Sequence, residues 1–348
     1  MRCCVILLNW NGWRNTIECL ESVFRITGQD FCVVVCDNFS SDNSLEKIRQ
    51  WARGEMRAES ANPQLAYLSS PPVNKPIPYI ELTREEAESV RPRRESRLVL
   101  IQTGANLGFA GGNNVGLRYA LGQADCQFFW MLNNDTVVEP GALTAMVRYL
   151  EQVPNCGLCG SLNRAYYAPE EVQSEGGKQY SRWTARAYSP AVYNTEESLA
   201  YSAPIDFVSG ASMLARRNFL EHVGLMEESY FLFFEEMDWA TRAKGKFSLG
   251  YARDSVIFHK EGGSIGSHPD RMKRSLTSEA YLARNRVLFT RRFYPWALPT
   301  VIAATLFAAA HRLYRGDLRR AKTILTFMLL GLRQPRRGTE HGSEKSLP

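Results

Sequence analysis

What this chain lacks narrows its chemistry before any motif is weighed. Cys156 and Cys159 form a single CxxC, with no second pair and no histidine at zinc spacing, so neither a structural zinc nor a redox centre is expected. No GxGxxG follows the first strand-like run, where Asn9-Trp10-Asn11-Gly12 stands instead, and the glycine-rich stretch further on contains no GK[ST]. Dinucleotide-dependent oxidoreductase and P-loop readings both weaken accordingly. The basic glycine-rich signature of a sugar nucleotidyltransferase is also missing near the N-terminus. Arg2 runs straight into a strand-like segment with no secretory leader, so a reducing cytosol is expected, with the eight cysteines acting as small core residues. No internal repeat is apparent. Acid is nearly missing from one region: between Arg284 and Arg337 a dozen Arg or Lys stand against Asp317 alone, although the net charge is only +6. Such a basic stretch serves nucleic acid or an anionic membrane; the apolar segments interleaved here favour the membrane, and no nucleic-acid partner is expected.

What is present is a globular composition, 45% hydrophobic and 22% charged over 348 residues, enough for one large or two moderate domains. Cys3 to Leu8 reads as a strand ending in a turn. A helix follows, with Asn15 and Glu18 as a capping box and Ile17, Leu20, Val23 and Phe24 on one face. Phe31 to Cys36 is a second strand, and Ser41, Asp42 or Asn43 caps a helix that Gly54 stops. These strands are continuous apolar runs, which predicts an α/β fold with a mostly parallel sheet covered on both faces. Residues 55–96, with clustered charges and Pro71, Pro72, Pro76 and Pro78, read as a surface insertion or mobile loop. Alternation resumes with Leu98 to Gln102, a loop over Gly104 to Asn114, a helix to Leu121, and the run FFWMLNNDT, residues 128–136.

That run ends in Asn133, Asn134 and Asp135 at a C-terminal strand edge, where open α/β sheets hold their ligands and where a carboxylate suits a metal and a phosphate. An Asn/Asp turn capping the next helix is the competing account. Asp37 leaves its own strand in the same way, either to accept from a nucleobase imide or ribose or to cap a helix. The loop NLGFAGGNN, residues 106–114, lets backbone approach a ligand, with a helix N-terminus behind it for a phosphate. In the second half, IDFVSGASML reads as a strand interrupted at Gly210, and YFLFFEEMDW delivers Glu235, Glu236 and Asp238 among aromatics. That combination fits a partly desolvated general base over a sugar platform, or else a solvated helix start. His259 ends a further apolar run.

Together the segments LNWNG, VVVCDNFSSDNS, NLGFAGGNNVGL, FWMLNNDTVVEPGAL, DFVSGASMLARR, VGLMEESYFLFFEEMDWATRA, VIFHKEGGS and YLARNR, in this order, resemble family 2 glycosyltransferases of the GT-A fold, in the rhamnosyltransferase-like branch. The resemblance implies a Rossmann-like GT-A domain over residues 1–265, followed by a helical, basic and apolar region over 266–348. It implies inverting transfer of a sugar from a nucleotide-diphosphate donor, a dTDP- or UDP-sugar, to a glycan or polyprenyl-linked acceptor; rhamnose is suggested by the resemblance alone. Asn133-Asn134-Asp135 resembles the family's DxD motif, making Asp135 the expected ligand of Mg²⁺ or Mn²⁺ with His259 beside it. Asn9, Asp37, Asn38, Asn106, Gly108, Asn113, Asn133, Asn134 and Gly210 fall in the nucleotide-sugar set. Where relatives commonly read Glu-Asp, this chain has Glu235-Glu236; alignment on Asp238 puts Glu236 at the base position, with Glu235 and Asp238 as the alternatives.

Residues 293–310 are uncharged but only border on spanning length, with Pro295 and Pro299 shortening any helix, and Leu318 to Leu332 has cationic and apolar faces. Peripheral attachment to the cytoplasmic face of the membrane is expected in preference to a span. A non-catalytic carbohydrate- or membrane-binding module on the same fold is the alternative function.

Overall fold

The first strand, β1 (Arg2–Asn9), is apolar along nearly its whole length, and only a central position between two covered faces can bury both sides of such a run. It takes that position. In this computed structural model, which describes residues 2–89, 96–189, 205–261 and 275–334, β1 pairs in parallel with β2 (Phe31–Asp37) and with β5 (Cys126–Asn133). The helices α1 (Trp13–Val23) and α2 (Ser44–Arg53) follow β1 and β2. Gly54 ends α2 at φ 89°, a left-handed cap that glycine adopts without strain. Beyond them lie β3 (Tyr79–Thr83), α3 (Arg84–Glu88), β4 (Leu98–Gln102) and α4 (Gly108–Leu121). After β5 come β6 (Thr136–Val138), α5 (Ala142–Gln152), β7 (Cys156–Ala165), β8 (Ala168–Glu175), β9 (Gly177–Ser181) and β10 (Arg186–Tyr188). The next elements are β11 (Phe207–Val208), β12 (Ser212–Arg216), α6 (Arg217–Val223), α7 (Glu235–Ala243) and β13 (Ser248–His259). Three helices close the described chain: α8 (Leu276–Phe293), α9 (Leu298–Tyr314) and α10 (Leu318–Arg333).

The main sheet runs β3-β4-β2-β1-β5-β12-β7-β13-β6, with β8 paired to β7. Its first five strands are parallel; β12 enters antiparallel between β5 and β7, and β13 returns parallel to β7. One face carries Ile17, Leu20, Ile48, Trp51, Leu143 and Met146 from α1, α2 and α5; the other carries Ala110, Val115, Phe219 and Trp239 from α4, α6 and α7. The result is the expected three-layer α/β fold. Because β1, β2, β4 and β5 are parallel, their C-terminal ends share one edge, and that edge becomes the floor of a large cleft.

Three expectations are corrected. Asn15 does not cap α1, which starts at Trp13 after Gly12; Glu18 is instead fully buried inside the helix, paired with Lys260 at 2.5 Å and accepting from Tyr166 Oη at 2.6 Å. The 55–96 segment is not simply a loop: its described part supplies β3, an edge strand parallel to β4, and α3 with a full capping box from Thr83 and Glu86. It is also pinned to α1, since buried Glu21 accepts from Trp51 Nε1 and Val73 N and pairs with Lys75, whose ammonium burial lowers to about 8. Finally, the glycine-rich stretch is not an open loop, because α4 begins at Gly108 inside it. Gly112 and Gly116 let α4 lie directly on β1, where a Cβ would stand 2.3 Å from Leu8 and 2.7 Å from Ile6. All eight cysteines are free thiols and buried, and burial pushes those of Cys19 and Cys36 up to about 12.

Candidate active site

The cleft, about 1270 Å³, is walled on one side by the ends of β1, β2 and β5 and the start of α4, and on the other by the loop before α7. Asp135 sits just past the end of β5, mostly buried, and its Oδ1 lies 3.2 Å from Nε2 of His259 at the end of β13. The other ring nitrogen, Nδ1, is 3.2 Å from the side-chain carbonyl of Gln173 on β8. Burial disfavours the charged imidazole, yet the Asp135 carboxylate outweighs it and holds His259 above its ordinary value. Lys260 N donates to Asp135 O at 2.9 Å, which locks the two segments together, and Lys260 Nζ is itself tied to Asn15 at 2.8 Å and to Glu18.

Asn134 and Asn9 stand behind Asp135. Asn134 Nδ2 donates to Thr16 Oγ1 at 2.8 Å, Thr16 donates to Asn9 Oδ1 at 2.7 Å, and Asn9 Nδ2 donates to Asp37 Oδ1 at 2.7 Å. Asp37 also accepts from Ser40 Oγ, Ser40 N and Gln102 Nε2. This closed network corrects one expectation: Asp37 lies at its strand end as predicted, but its carboxylate is buried, satisfied within the protein and off the cleft wall. Asn113 is likewise turned away, donating to Phe109 O inside α4. Asn38, Asn106, Gly108, Asn133 and Asn134 do line the cleft. Asn38 cross-links the group, accepting from Leu107 N at 3.0 Å and donating to Asn106 Oδ1 at 2.9 Å.

The opposite wall stores strain. Phe231, Phe233 and Phe234 all hold positive φ, 64°, 66° and 78°, in a region that bulky residues avoid. What holds them is Asn285 of α8, whose buried Nδ2 is 2.9, 2.7 and 3.0 Å from the carbonyl oxygens of Tyr230, Leu232 and Phe233. Phe231 also stacks on Tyr281 at 4.9 Å, and its carbonyl accepts from Phe109 N at 2.7 Å. Gly108, at φ 71°, fits under that carbonyl where a Cβ would be 2.2 Å away. The two walls are thereby joined.

This strained turn presents Glu235 and Glu236 at the start of α7. Both carboxyls are pushed up chiefly by burial, Glu235 further by the Glu236 charge, while Lys178 across the cleft counters the rise at Glu236. Glu235 is buried, and one of its oxygens finds no hydrogen-bond partner among the described residues. Glu236 is only partly covered and packs on Gly210, where a Cβ would lie 2.3 Å from Oε1. Asp238 is corrected out of the alternatives for the base: it is buried off the cleft, accepts from Tyr230 Oη at 3.0 Å, and is neutralised by Arg242 at 2.6 Å and Arg292 at 2.9 Å. Its task is to fix α7 against α8.

Sequence reasoning missed several of these groups. Asn285 lies in the YLARNR segment but carried no assigned role, and nothing local shows that its amide reaches a loop fifty residues away. Gln173 sits on β8 and Lys178 on β9, strands with no strong apolar pattern. Half-exposed Trp10 lines the cleft mouth; the asparagine-rich turn that carries it was the available signal.

A carboxylate and an imidazole in contact, with oxygen-rich surroundings, form a donor pair suited to a divalent ion completed by phosphate oxygens and water. Among the described residues no group of three such side chains gathers that would enclose a metal on its own. The pair fits a substrate-completed site.

With this geometry in place, the comparisons decide the family. The family model for Glycosyl transferase family 2 matches residues 4–69 and 81–224. The chain belongs to that family. It is 24% identical over 210 residues to the low-salt glycan biosynthesis hexosyltransferase Agl10 of Haloferax volcanii, across 59% of this chain and 64% of that protein, so it spans less than two thirds of that relative's length. It is 25% identical over 250 residues to an N-acetylglucosaminyl-diphospho-decaprenol L-rhamnosyltransferase of Mycobacterium tuberculosis, across 66% of this chain and 80% of that protein. Among solved structures, that of GalNAc-T7 with UDP, GalNAc and Mn²⁺ superposes with a TM-score of 0.55 at 13% identity, over 96% of this chain and 56% of that one, which supports the GT-A fold.

Proposed function

We propose that this glycosyltransferase moves a hexose from a nucleoside-diphosphate donor to a hydroxyl of a lipid-linked glycan, with inversion at the anomeric carbon and with assistance from Mg²⁺ or Mn²⁺. The observation that carries the reading is the placement of a half-buried carboxylate with a raised affinity for protons, Glu236, in the same cleft as the Asp135–His259 pair. A base of that kind is matched to abstracting a hydroxyl proton.

The donor's diphosphate would lie at the Asp135 end, with Asn38, Asn106 and the start of α4 around the nucleotide. Asp135 and His259 would hold the divalent ion, which when bound offsets negative charge on the leaving diphosphate. Glu236 takes the proton of the acceptor hydroxyl as that oxygen forms its bond to the anomeric carbon; the bond to the diphosphate oxygen breaks with its electron pair leaving on the diphosphate. Glu235, whose carboxyl burial and the Glu236 charge push well above the usual carboxylate range, stands beside the base. Lys178 keeps Glu236 ionisable. For Asp37, a base-reading role requires exchanging internal hydrogen bonds for nucleobase contacts, so we assign it first to holding β1, β2 and β4 in register.

A lipid-linked acceptor is proposed from the mycobacterial relative's name and from the outer surface of the last helices. Pro295–Tyr314 is long and apolar enough to cross a membrane, and most of it is unburied. Pro299 does not shorten α9; it occupies the first turn, where proline is tolerated. Yet α9 packs Val301, Thr305, Ala309 and Arg312 inward, with Arg312 paired to Glu279 on α8, so it is tied to the catalytic body. We therefore read it as lying on the cytoplasmic membrane face, with Phe307 and Tyr314, 72% and 90% exposed, towards lipid.

The test is a donor screen on purified protein: binding and nucleotide release with dTDP- and UDP-sugars, with and without Mg²⁺ or Mn²⁺, beside Asp135→Ala. Metal-dependent preference for one donor, lost in the variant, is expected; binding of no nucleotide sugar under any metal would leave a non-catalytic module as the better account.

A further inference from the structure

A lysine lines the cleft together with Glu236 and His259: Lys178, the second residue of β9. Its place is set by the β8–β9 hairpin, which serves both ends of the site. At one end, Gln173 of β8 carries its side-chain carbonyl to 3.2 Å from His259 Nδ1. At the other, the Tyr180 ring of β9 meets Phe234 edge-on, 6.4 Å between centroids, immediately before Glu235. Side chains two apart on a strand share a face, so Lys178 leaves β9 on the side of Tyr180, towards the base loop. The backbone beneath it is closely confined. A Cβ on Gly160 would lie 2.1 Å from Gly176 O, and one on Gly177 2.2 Å from Phe207 O, while Asp206 N donates to Lys178 O at 2.9 Å. Only glycines let the hairpin approach its neighbours so closely, and that approach fixes where the lysine starts. The ammonium charge opposes protonation at Glu236 and at His259 alike, so it is within electrostatic reach of both.

A cation in that place matches the charge of the leaving group. Asp135 offers a divalent ion one carboxylate, which leaves a single net positive charge, whereas the diphosphate of a bound donor carries two negative charges and gains another as it departs. Lysine binds phosphate as a point charge and supplies what is missing. We propose that Lys178 Nζ donates to the β-phosphate of the donor and stabilises the charge that arrives there during transfer. The bond that breaks joins the anomeric carbon to a β-phosphate oxygen, and its electron pair stays on that oxygen. The bond that forms joins the anomeric carbon to the acceptor oxygen, whose proton goes to Glu236; Lys178 keeps its own. This inference rests on the reading of the protein as a transferase using a nucleoside-diphosphate sugar; it adds a protein cation at the leaving group, so that diphosphate recognition does not depend on the metal alone.

The experiment is calorimetric binding of UDP and dTDP, and of the matching monophosphates UMP and dTMP, to the full chain, once with Mn²⁺ and once with EDTA in its place. Wild type is compared with Lys178→Gln and with Lys178→Arg. The monophosphates lack the β-phosphate, so they report the nucleoside pocket and the integrity of the fold. For the nucleoside that wild type prefers, Lys178→Gln is expected to weaken the diphosphate about tenfold or more in both conditions and to leave the monophosphate as in wild type. Lys178→Arg, which keeps the charge, is expected to retain most of the diphosphate affinity. Unchanged diphosphate binding in Lys178→Gln would overturn the contact and leave the lysine acting on Glu236 alone. An equal loss for the monophosphate, or a Lys178→Arg variant as weak as Lys178→Gln, would overturn it too. Wild type that binds neither diphosphate would overturn the transferase reading itself, a result distinct from all of these.

Discussion

The two walls of the cleft are built on opposite principles. The wall formed by β1, β2, β5 and α4 is relaxed and self-satisfied: Asn9 and Asp37 at strand ends, Asn134 just past β5 and Thr16 on α1 are linked by hydrogen bonds to one another. The wall formed by the 230–236 turn is strained and under-satisfied, with three phenylalanines at positive φ, adjacent carboxyls that burial keeps from ionising easily, and an orphaned oxygen on Glu235. Binding a donor needs a rigid, preformed cradle; removing a proton needs a group held out of its comfortable state. In this molecule the second property is imposed from outside, by α8.

The largest expected effect comes from removing the proton acceptor on the strained wall. Glu236→Gln should lower turnover by about 10²–10⁴-fold, read as sugar transfer at saturating donor, whereas Glu235→Gln should cost far less; the reverse order would exchange their roles. Next is Gly210→Ala, whose methyl would press on Glu236 Oε1. Misplacing a reacting group by an ångström costs about 10²-fold, and thermal unfolding should shift little, since the site is at a strand break facing the cleft. Asn285→Ala removes the amide that holds three carbonyls. It should cost about 1–3 kcal/mol of stability from the groups left unpaired, measured by urea unfolding, with turnover falling more than donor affinity. If donor affinity falls equally, the walls are not separable in the way described. The smallest expected effect is a shift in a profile. Because burial raises the Glu236 carboxyl, turnover should be lost as pH falls through a value above the usual carboxylate range, and Lys178→Gln, which removes the countering cation, should move that acid limb to higher pH. An unmoved limb would mean Lys178 is not felt at the base.

The same contrast explains what was legible in the sequence. The relaxed wall follows from local rules: apolar runs ending in Asn or Asp mark strand ends, and parallel strands put those ends on one edge, so the pattern alone brings Asn38, Asn133 and Asp135 to the same cleft edge. Asn113 and Asp37 were assigned to the right segments but not the right directions, because side-chain partners such as Gln102 and Phe109 O are set by packing. The strained wall was legible only in part. An aromatic run with three acids showed that something was held there, but separating Glu236 from Asp238 required Arg292, which lies 54 residues later on α8. The edge strand β3 was hidden by the prolines and charges around it; it is half exposed, and so lacks the continuous apolar run that marks β1 and β2.

The most direct test of this division is donor affinity measured side by side for wild type, Asp135→Ala and Glu236→Gln by calorimetry with the preferred nucleotide sugar and its metal. The account predicts that Asp135→Ala loses donor binding, while Glu236→Gln binds donor as wild type does and yet transfers sugar about 10²–10⁴-fold more slowly. Loss of donor binding in Glu236→Gln, or its retention in Asp135→Ala, would contradict it.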